Sequence, residues 1–287
     1  MATKTDTTRL PLHITDRDRE ILKVVFDFKV LAANQIQALI PGSDQQILRR
    51  LQKLTDHHYL IRHQRTSAHI PYLYQITKRT REELADAYGI APERIQKRSH
   101  KLSAHDLQHA LMVSRLQCAV MCAVAERPDV ELVDCILEDE LPVYTVTYEE
   151  GGRVVQAAFR PDVRFHLTHA GTDMTLLAEA DRSSERSRVV EAKLKAYFHF
   201  WQHEREKTRR GEQSFGPFRV LWTTRSKARM ENIRQYSLAL NNGKGTALHW
   251  LTVETVYQNP YDFFEPIWKL GRAGDEECHG LLESRTP

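Results

Sequence analysis

Three carboxylates in the second half of the chain are spaced so that they could act on one cation. Glu179 and Asp181 stand two residues apart at the end of a predicted strand, so their side chains project from the same face. Asp162 precedes the predicted strand 163–168 and approaches the same end if the two strands pair through a turn at 170–172. Clustered carboxylates repel one another unless a cation neutralises them. The pattern therefore predicts an acidic site for a hard cation, Mg²⁺ or Mn²⁺.

A lysine follows these carboxylates on a predicted helix spanning residues 185–207. Lys193 falls on the same stripe as the apolar residues Val190 and Tyr197, whereas Lys195 points away from it. An ammonium on an apolar stripe either reaches a carboxylate or phosphate at the edge of the sheet or extends past the rim of the stripe into water. Both interpretations stay open.

The elements that would position these residues alternate between strands and helices. Five predicted strands form a meander, and a helix, a strand, a helix and a final strand follow it. This order predicts an α/β domain, α+β for the chain overall, with a mixed sheet flanked by helices. The predicted segments are 130–137, 143–148, 154–159, 163–168 and 174–180, then 185–207, 218–224, 227–240 and 247–253.

The first part of the chain has a different pattern, three helices followed by a hairpin. Apolar spacing and capping residues predict helices at 15–29, 33–40 and 43–57, with Pro41 and Gly42 closing the second. Two strands, 59–65 and 70–76, follow. Three helices and a hairpin make a winged helix-turn-helix, which is found in DNA-binding proteins and also in protein-contact modules.

The third predicted helix carries residue types that suit a DNA major groove. Ile47, Leu48, Leu51 and Leu54 share one face, and polar residues occupy the other. Arginine pairs with guanine, glutamine with adenine and lysine with phosphate, although a solvated charged face gives the same pattern. The predicted DNA-binding residues are Gln45, Gln46, Arg49, Arg50 and Lys53 on this helix and Arg62 and Arg65 on the wing, beside His63 and His69.

The distribution of charge agrees with this assignment. The chain has a formal charge of +3, but residues 1–100 carry 17 Lys and Arg against 11 Asp and Glu, so the basic excess lies in the first third. Neither a signal peptide nor a membrane-length apolar run is evident, because the longest such run is 116–125. The four cysteines form no CxxC pair and are expected to be free thiols in a cytoplasmic protein.

The chain resembles the replication-relaxation family of plasmid and mobile-element proteins. The resemblance covers most of the chain, and it rests on the order and spacing of several short segments. Members of this family join a winged helix to a domain resembling the PD-(D/E)xK, restriction-endonuclease-like nuclease fold. The segments are 12–22, His105-Asp106-Leu107, Glu140, Pro161-Asp162, Glu179-Ala180-Asp181 and 193–197.

This resemblance assigns roles to the acidic residues. It implies that Asp162, Glu179 and Asp181 are catalytic and metal-binding carboxylates, with Glu140 as an upstream acidic member. Lys193 would be a catalytic lysine moved from strand to helix. The chain departs from the nuclease pattern at Asp181, where that pattern has a lysine. Either Lys193 supplies the missing cation, or the domain has lost catalysis and only binds.

Several functions follow from these interpretations. The first is a DNA-binding protein of a mobile element, acting in plasmid replication, relaxation or mobilisation, with metal-dependent nicking of DNA as its chemistry. The second is a non-catalytic DNA-binding regulator that uses its C-terminal domain for dimerisation or partner contact. Covalent strand transfer by Tyr197 is a minor alternative. A histidine pair, His105 and His109, is either a metal site or an exposed pair.

The sequence also predicts how the chain divides into domains and which partners it binds. The predicted domains are a winged helix at 1–88, a basic linker at 89–102, an α/β domain at 103–270 and a polar tail at 271–287. The expected partners are double-stranded DNA, a second copy of the chain and plasmid replication or mobilisation proteins, without a membrane.

Overall fold

A computed structural model describes residues 12–64, 71–183, 186–257 and 259–283 of the 287-residue chain. The contacts divide the chain into two compact units, Met1–Arg115 and Leu116–Pro287. This division falls inside one long helix.

The first unit combines helices with a small antiparallel sheet. Its three strands are ordered β1-β3-β2, with β3 in the centre. A 3-10 turn, Lys78–Thr80, precedes the fourth helix. The elements are α1 (Asp16–Phe28), β1 (Leu31–Ala32), α2 (Ala33–Leu39), α3 (Asp44–Asp56), β2 (Leu60–His63), β3 (Leu73–Ile76), α4 (Arg81–Tyr88), α5 (Pro92–Arg98) and α6 (Ala104–Ala125), which extends into the second unit.

Local chemistry fixes the start of α1. Thr15 caps the helix by accepting a hydrogen bond from the Asp18 backbone N–H, and the Asp18 carboxylate accepts one from the Thr15 N–H at 2.8 Å. This reciprocal capping satisfies two backbone donors that the helix itself leaves unpaired. Asp18 is fully buried and is also bound by Arg50 of α3. The start of α1 is therefore tied to the helix predicted to read DNA.

The turn between α2 and α3 requires a glycine. Gly42 has a φ of +130°, a conformation that residues with a Cβ rarely adopt. A Cβ at this position would also collide with the guanidinium of Arg17. All three predicted helices begin and end within one or two residues of the predicted bounds.

The helices and hairpin have the order of the predicted winged helix-turn-helix. The hairpin pairs β2 with β3 from Leu60 opposite Ile76 to His63 opposite Leu73. Strand β1 adds to the other side of β3, which the sequence pattern had not indicated because it is only two residues long. One expectation about α3 is wrong: Leu48 is 43 % exposed, whereas Ile47, Leu51 and Leu54 are buried.

The segment 89–102, predicted as a basic linker, contains the helix α5. Its Ile95 is fully buried, and the Arg98 guanidinium donates to the backbone oxygen of Phe26 at 3.0 Å. The buried amide of Gln75 donates to the backbone oxygens of Arg98 and His100. The basic residues suggested a solvated connection, but the aliphatic part of Arg98 and the buried side chains of Ile90 and Ile95 are enough to pack the segment.

The second unit is built on a seven-stranded mixed sheet. Its order is β12-β11-β10-β9-β8-β7-β4, and β5 and β6 form a separate two-stranded sheet. Two more 3-10 turns are Glu138–Glu140 and Pro260–Phe264. The elements are β4 (Val130–Leu137), β5 (Tyr144–Glu150), β6 (Arg153–Phe159), β7 (Val163–His169), β8 (Thr172–Asp181), α7 (Ser187–Arg209), β9 (Phe218–Thr224), α8 (Lys227–Leu238), α9 (Leu240–Gly243), β10 (Gly245–Val253), β11 (Trp268–Arg272) and β12 (Cys278–His279).

The predicted five-strand meander is wrong in one respect. Strand β4 pairs directly with β7, and the intervening β5–β6 hairpin leaves the sheet and packs against α7. Tyr144 and Phe159, which stack at 5.4 Å between ring centroids, provide its apolar side. Alternation of apolar and polar residues identifies strands, but it does not say which strands pair, so the sequence could not reveal this excursion.

The centre of the sheet has the predicted parallel character. Strand β8 pairs in parallel with β9, and β9 pairs in parallel with β10, so both connections carry a helix, α7 and α8. Glu179 lies opposite Trp222 and Asp181 opposite Thr224. Alternation along the strands therefore places Leu177, Glu179 and Asp181 on one face.

The chain end was expected to be a polar tail from residue 271. Instead, Arg272 ends strand β11, and residues 278–279 form β12 at the edge of the sheet. Leu281 is fully buried, and its carbonyl oxygen accepts a hydrogen bond from the guanidinium of Arg219. Short strands of two to five residues carry too little periodicity to be recognised in a polar sequence.

Within the described ranges, α6 is the one helix that is long and apolar enough to cross a membrane, judged by length and composition alone. Sixty-one per cent of its apolar window is buried inside the protein. Core helices pass the same test, and this degree of burial accounts for the apolar composition. The sequence had suggested only the shorter run 116–125.

A substitution in α5 tests whether the segment 89–102 is part of the packed unit. Replacing Ile95 with Ala removes a fully buried side chain and should lower the free energy of unfolding by about 2 to 5 kcal/mol. The matched change Gln96→Ala, at an exposed neighbour, should change it by less than about 0.5 kcal/mol. Urea unfolding followed by circular dichroism measures both. Equal stability of the two variants would mean that 89–102 is an unpacked linker.

Candidate functional site

Glu179 is one of two predicted carboxylates that are buried, with 2 % of the whole residue exposed. Its Oε2 accepts a hydrogen bond from Lys193 Nζ at 2.6 Å, and its Oε1 accepts one from the Tyr197 hydroxyl at 2.5 Å. Both donors stand on α7, four residues apart and therefore one above the other. Of the two interpretations of Lys193, the structure selects the one in which it reaches a carboxylate.

Burial sets the electrostatics of this carboxylate. Loss of solvation raises the pKa of Glu179 to about 7, Asp162 adds to the rise, and Lys193 and Tyr197 oppose it. Burial also raises the pKa of the Tyr197 phenol well above its ordinary value. Tyr197 is fully buried and donates a hydrogen bond to Glu179, so it lacks the exposure that covalent strand transfer requires.

Asp181 is held by a residue that the sequence analysis did not identify. Arg229 of α8 binds it with two hydrogen bonds, Nε to Oδ2 at 2.7 Å and a terminal nitrogen to Oδ1 at 3.0 Å. The side chain of Arg229 is 11 % exposed and that of Asp181 is 2 % exposed. This forked geometry is the strongest that an arginine and a carboxylate make. A partly parallel sheet was predicted, and the parallel pairing of β8 with β9 brings the start of α8 beside Asp181.

The other two predicted acidic residues lie differently. Asp162 approaches the same end of β8, where its Oδ2 accepts a hydrogen bond from the Ala180 backbone N–H at 2.7 Å. Its proximity to Glu179 contributes to the raised pKa of that residue. Glu140 is exposed and ends the 3-10 turn Glu138–Glu140, which precedes the β5–β6 hairpin. Of the three carboxylates predicted to converge, Asp162 and Glu179 therefore lie near one another at this end of β8.

The arrangement does not fit a bound Mg²⁺ or Mn²⁺. A hard divalent cation needs several carboxylate oxygens turned towards one point. Glu179 and Asp181 instead each engage a protein cation, Lys193 or Arg229, at hydrogen-bond distance. Across the described ranges, no three His, Cys, Asp or Glu side chains are grouped so that they could hold a metal ion. The histidine pair is no exception: His105 is 66 % exposed and contacts Asp106 at 3.5 Å.

The outer face of α3 presents the predicted DNA-binding residues to solvent. Gln45, Gln46, Arg49 and Lys53 are all exposed, while Ile47, Leu51 and Leu54 are buried on the opposite face. In the described part of the chain, Arg49 and Lys53 have no hydrogen-bond or ion-pair partner. Their charges are therefore available to a ligand.

Three other predicted DNA contacts are engaged within the protein. Arg50 binds the buried Asp18, with its Nε 2.5 Å from Oδ1. Arg62 donates to Gln52 Oε1 at 2.6 Å and stacks over the Tyr72 ring at 4.5 Å. His63 is buried, and its Nε2 lies 3.2 Å from Gln75 Oε1. Helical and strand periodicity showed which way these side chains point but not that Asp18, Gln52 and Gln75 would meet them. Arg65 and His69 lie outside the described residues.

The buried ion pair makes a specific prediction about stability. Lys193→Met keeps the apolar stem but leaves Glu179 buried without its cation, which should cost about 3 to 5 kcal/mol. The double variant Glu179→Gln with Lys193→Met removes both charges and should recover most of that loss. The control Lys195→Met removes the ion pairs of Lys195 with the exposed carboxylates of Glu150 and Glu191. It should cost less than about 1 kcal/mol. Thermal and urea unfolding measure the cycle, and a double variant no more stable than Lys193→Met would refute the pairing.

Comparison with known proteins places these features in a family. A family model described as replication-relaxation matches residues 22–214, which include α3, the β8 carboxylates and Lys193. No curated protein matches the chain. The crystal structure of protein VC1899 from Vibrio cholerae aligns with 11 % identity and a TM-score of 0.28, over 87 % of this chain and 56 % of that one. Because the family model matches about two thirds of its residues, the chain belongs to the replication-relaxation family.

Proposed function

We propose that this protein binds double-stranded DNA through helix α3 and acts in the replication or relaxation of plasmid or other mobile-element DNA. The observation that carries the proposal is the outer face of α3, where Arg49 and Lys53 are exposed and unpaired in the part of the chain that the structure describes. Membership of the replication-relaxation family supports the same process.

The chemistry of this face suits a duplex. An α-helix fits the major groove, where Gln45 or Gln46 could pair with adenine and Arg49 with guanine. Lys53 stands one turn after Arg49 and suits a backbone phosphate. The opposite face of α3 is anchored by Ile47, Leu51 and Leu54, so the helix would enter the groove without rearranging.

The second unit would serve as a scaffold in this proposal. Its two β8 carboxylates bind Lys193 and Arg229, so these groups stabilise the sheet and its helices. Metal-dependent nicking would require both ion pairs to open. We propose for this unit the role of the non-catalytic alternative, contact with a second copy of the chain or with another replication or mobilisation protein.

Loss of the two free cations should weaken DNA binding. Arg49→Ala should cost about 1 to 3 kcal/mol for a lost base contact, and Lys53→Ala should lower the salt slope by about one for a lost phosphate contact. Gel-shift titrations of the double variant at two salt concentrations measure both effects. The exposed cations Lys78 and Arg81, in the 3-10 turn and in α4, provide a control with equal charge loss. Wild-type affinity for the Arg49/Lys53 variant would exclude α3 as the DNA-reading helix.

A second experiment separates a binder from an enzyme. Millimolar Mg²⁺ or Mn²⁺ should leave the melting temperature unchanged, because a ligand stabilises a protein only if it binds the folded state. Supercoiled plasmid incubated with the protein and either metal should stay supercoiled. A metal-dependent rise in melting temperature that Asp162→Ala abolishes, or the appearance of nicked circles, would show instead that the carboxylates open to admit a cation.

A further inference from the structure

A cleft beside the outer face of α3 is lined by Arg49 and Lys53 and also by Arg17, which the proposed function does not use. It has a volume of about 700 Å³ and lies between the start of α1 and α3. Four of its lining residues are basic: Arg17 from α1 and Arg49, Arg50 and Lys53 from α3. Such a volume falls within the range of ligand sites, about 300 to 1,000 Å³.

Arg17 is held in place at the mouth of this cleft. One guanidinium nitrogen donates to the carbonyl oxygen of Pro41 at 2.6 Å, and the same nitrogen lies beside Gly42, where a Cβ would collide with it. The side chain is 40 % exposed, and its nearest carboxylate, Glu20, is 4.0 Å away. A guanidinium has five donors, so one hydrogen bond to Pro41 leaves most of its donors for a ligand.

The four cations are not equivalent. The charge of Arg50 is compensated by Asp18, with which it forms two hydrogen bonds. Arg49 and Lys53 have no protein partner in the described residues, and Arg17 has only a distant one. The cleft therefore presents two uncompensated positive charges, Arg49 and Lys53, and a third, Arg17, which lies 4.0 Å from Glu20. The neutral amide groups of Gln46 and Gln52 complete its lining.

The start of α1 does not itself attract an anion. Asp16 and Asp18 occupy its first turn, and Asp18 already caps the helix with Thr15. An anion in the cleft would consequently be bound by side-chain cations and not by the helix dipole. The ligand that matches a forked guanidinium beside a lysine is a phosphate group.

We infer that this cleft grips a backbone phosphate of the duplex whose bases α3 contacts, and that Arg17 is a phosphate-binding residue. The inference rests on the proposed function and deepens it. Arg17 lies against the turn that precedes α3, so a phosphate bound there would fix the depth and register of α3 in the groove. A free nucleotide has the same phosphate chemistry and is the competing ligand.

The test compares Arg17→Gln, Arg17→Lys and the matched control Arg19→Gln in the full-length protein. Arg19 stands on the same helix but pairs with Asp16 and Glu83 and does not line the cleft. Affinity for duplexes of unrelated sequence is measured between 50 and 200 mM salt. One lost phosphate contact reduces the salt slope by about 0.9, so the wild type should lose about 3.5-fold more affinity over this range than Arg17→Gln.

Arg17→Gln should bind all duplexes more weakly by a similar factor, Arg17→Lys should keep most of the salt slope, and Arg19→Gln should resemble the wild type. Circular dichroism melting confirms that each variant is folded, and the lysine variant keeps the test decisive if glutamine disturbs the turn. A wild-type salt slope for a folded Arg17→Gln overturns the inference. A rise in melting temperature with deoxyadenosine monophosphate that Arg17→Gln abolishes also overturns it, in favour of a nucleotide site.

The two proposals fail in different ways. If the wild type binds no duplex at any salt concentration, the proposed function is wrong. If the wild type binds and Arg49→Ala with Lys53→Ala weakens binding while Arg17→Gln does not, only the inference about the cleft is wrong.

Discussion

The burial of two carboxylates on strand β8 is the constraint on which the second unit depends. Glu179 and Asp181 are 2 % and 6 % exposed, and an isolated ionised carboxylate is too costly to bury in such a setting. Each one is tolerated because a helix supplies its cation: α7 supplies Lys193 and α8 supplies Arg229. The two helices are consequently fixed on the same face of the sheet by charge as well as by apolar contact.

The first unit uses the same device in a different place. Asp18 is fully buried at the start of α1, where it caps the helix, and Arg50 of α3 neutralises it. The ion pair sets the position of α3 relative to α1 while leaving the outer face of α3 free. An arginine that helical periodicity predicted to contact DNA thus instead binds a buried carboxylate and fixes the helix that carries Arg49 and Lys53.

The sequence predicted the elements well and the partners of charged residues poorly. Helices α1 and α3 and strands β4 and β9 have the expected bounds within about two residues, because caps, glycines and apolar periodicity act locally. The pairing of Arg50 with Asp18 and of Arg229 with Asp181 depends on which elements become neighbours, and no local pattern encodes that. The same reason explains the missed excursion of β5 and β6 and the unrecognised strands β11 and β12.

The topology around β8 also implies an order of events during folding. Strands β7 and β8 are joined by the two-residue turn Ala170-Gly171, whereas β8 and β9 are separated by residues 182–217. Short loops close with less entropy loss than long ones, so the hairpin is favoured to form before the parallel pair. Glu179 and Asp181 would then remain hydrated on an incomplete sheet until α7 and α8 dock. The late step of assembly is in this sense a desolvation step, whose barrier depends on Lys193 and Arg229 arriving with the helices that exclude water.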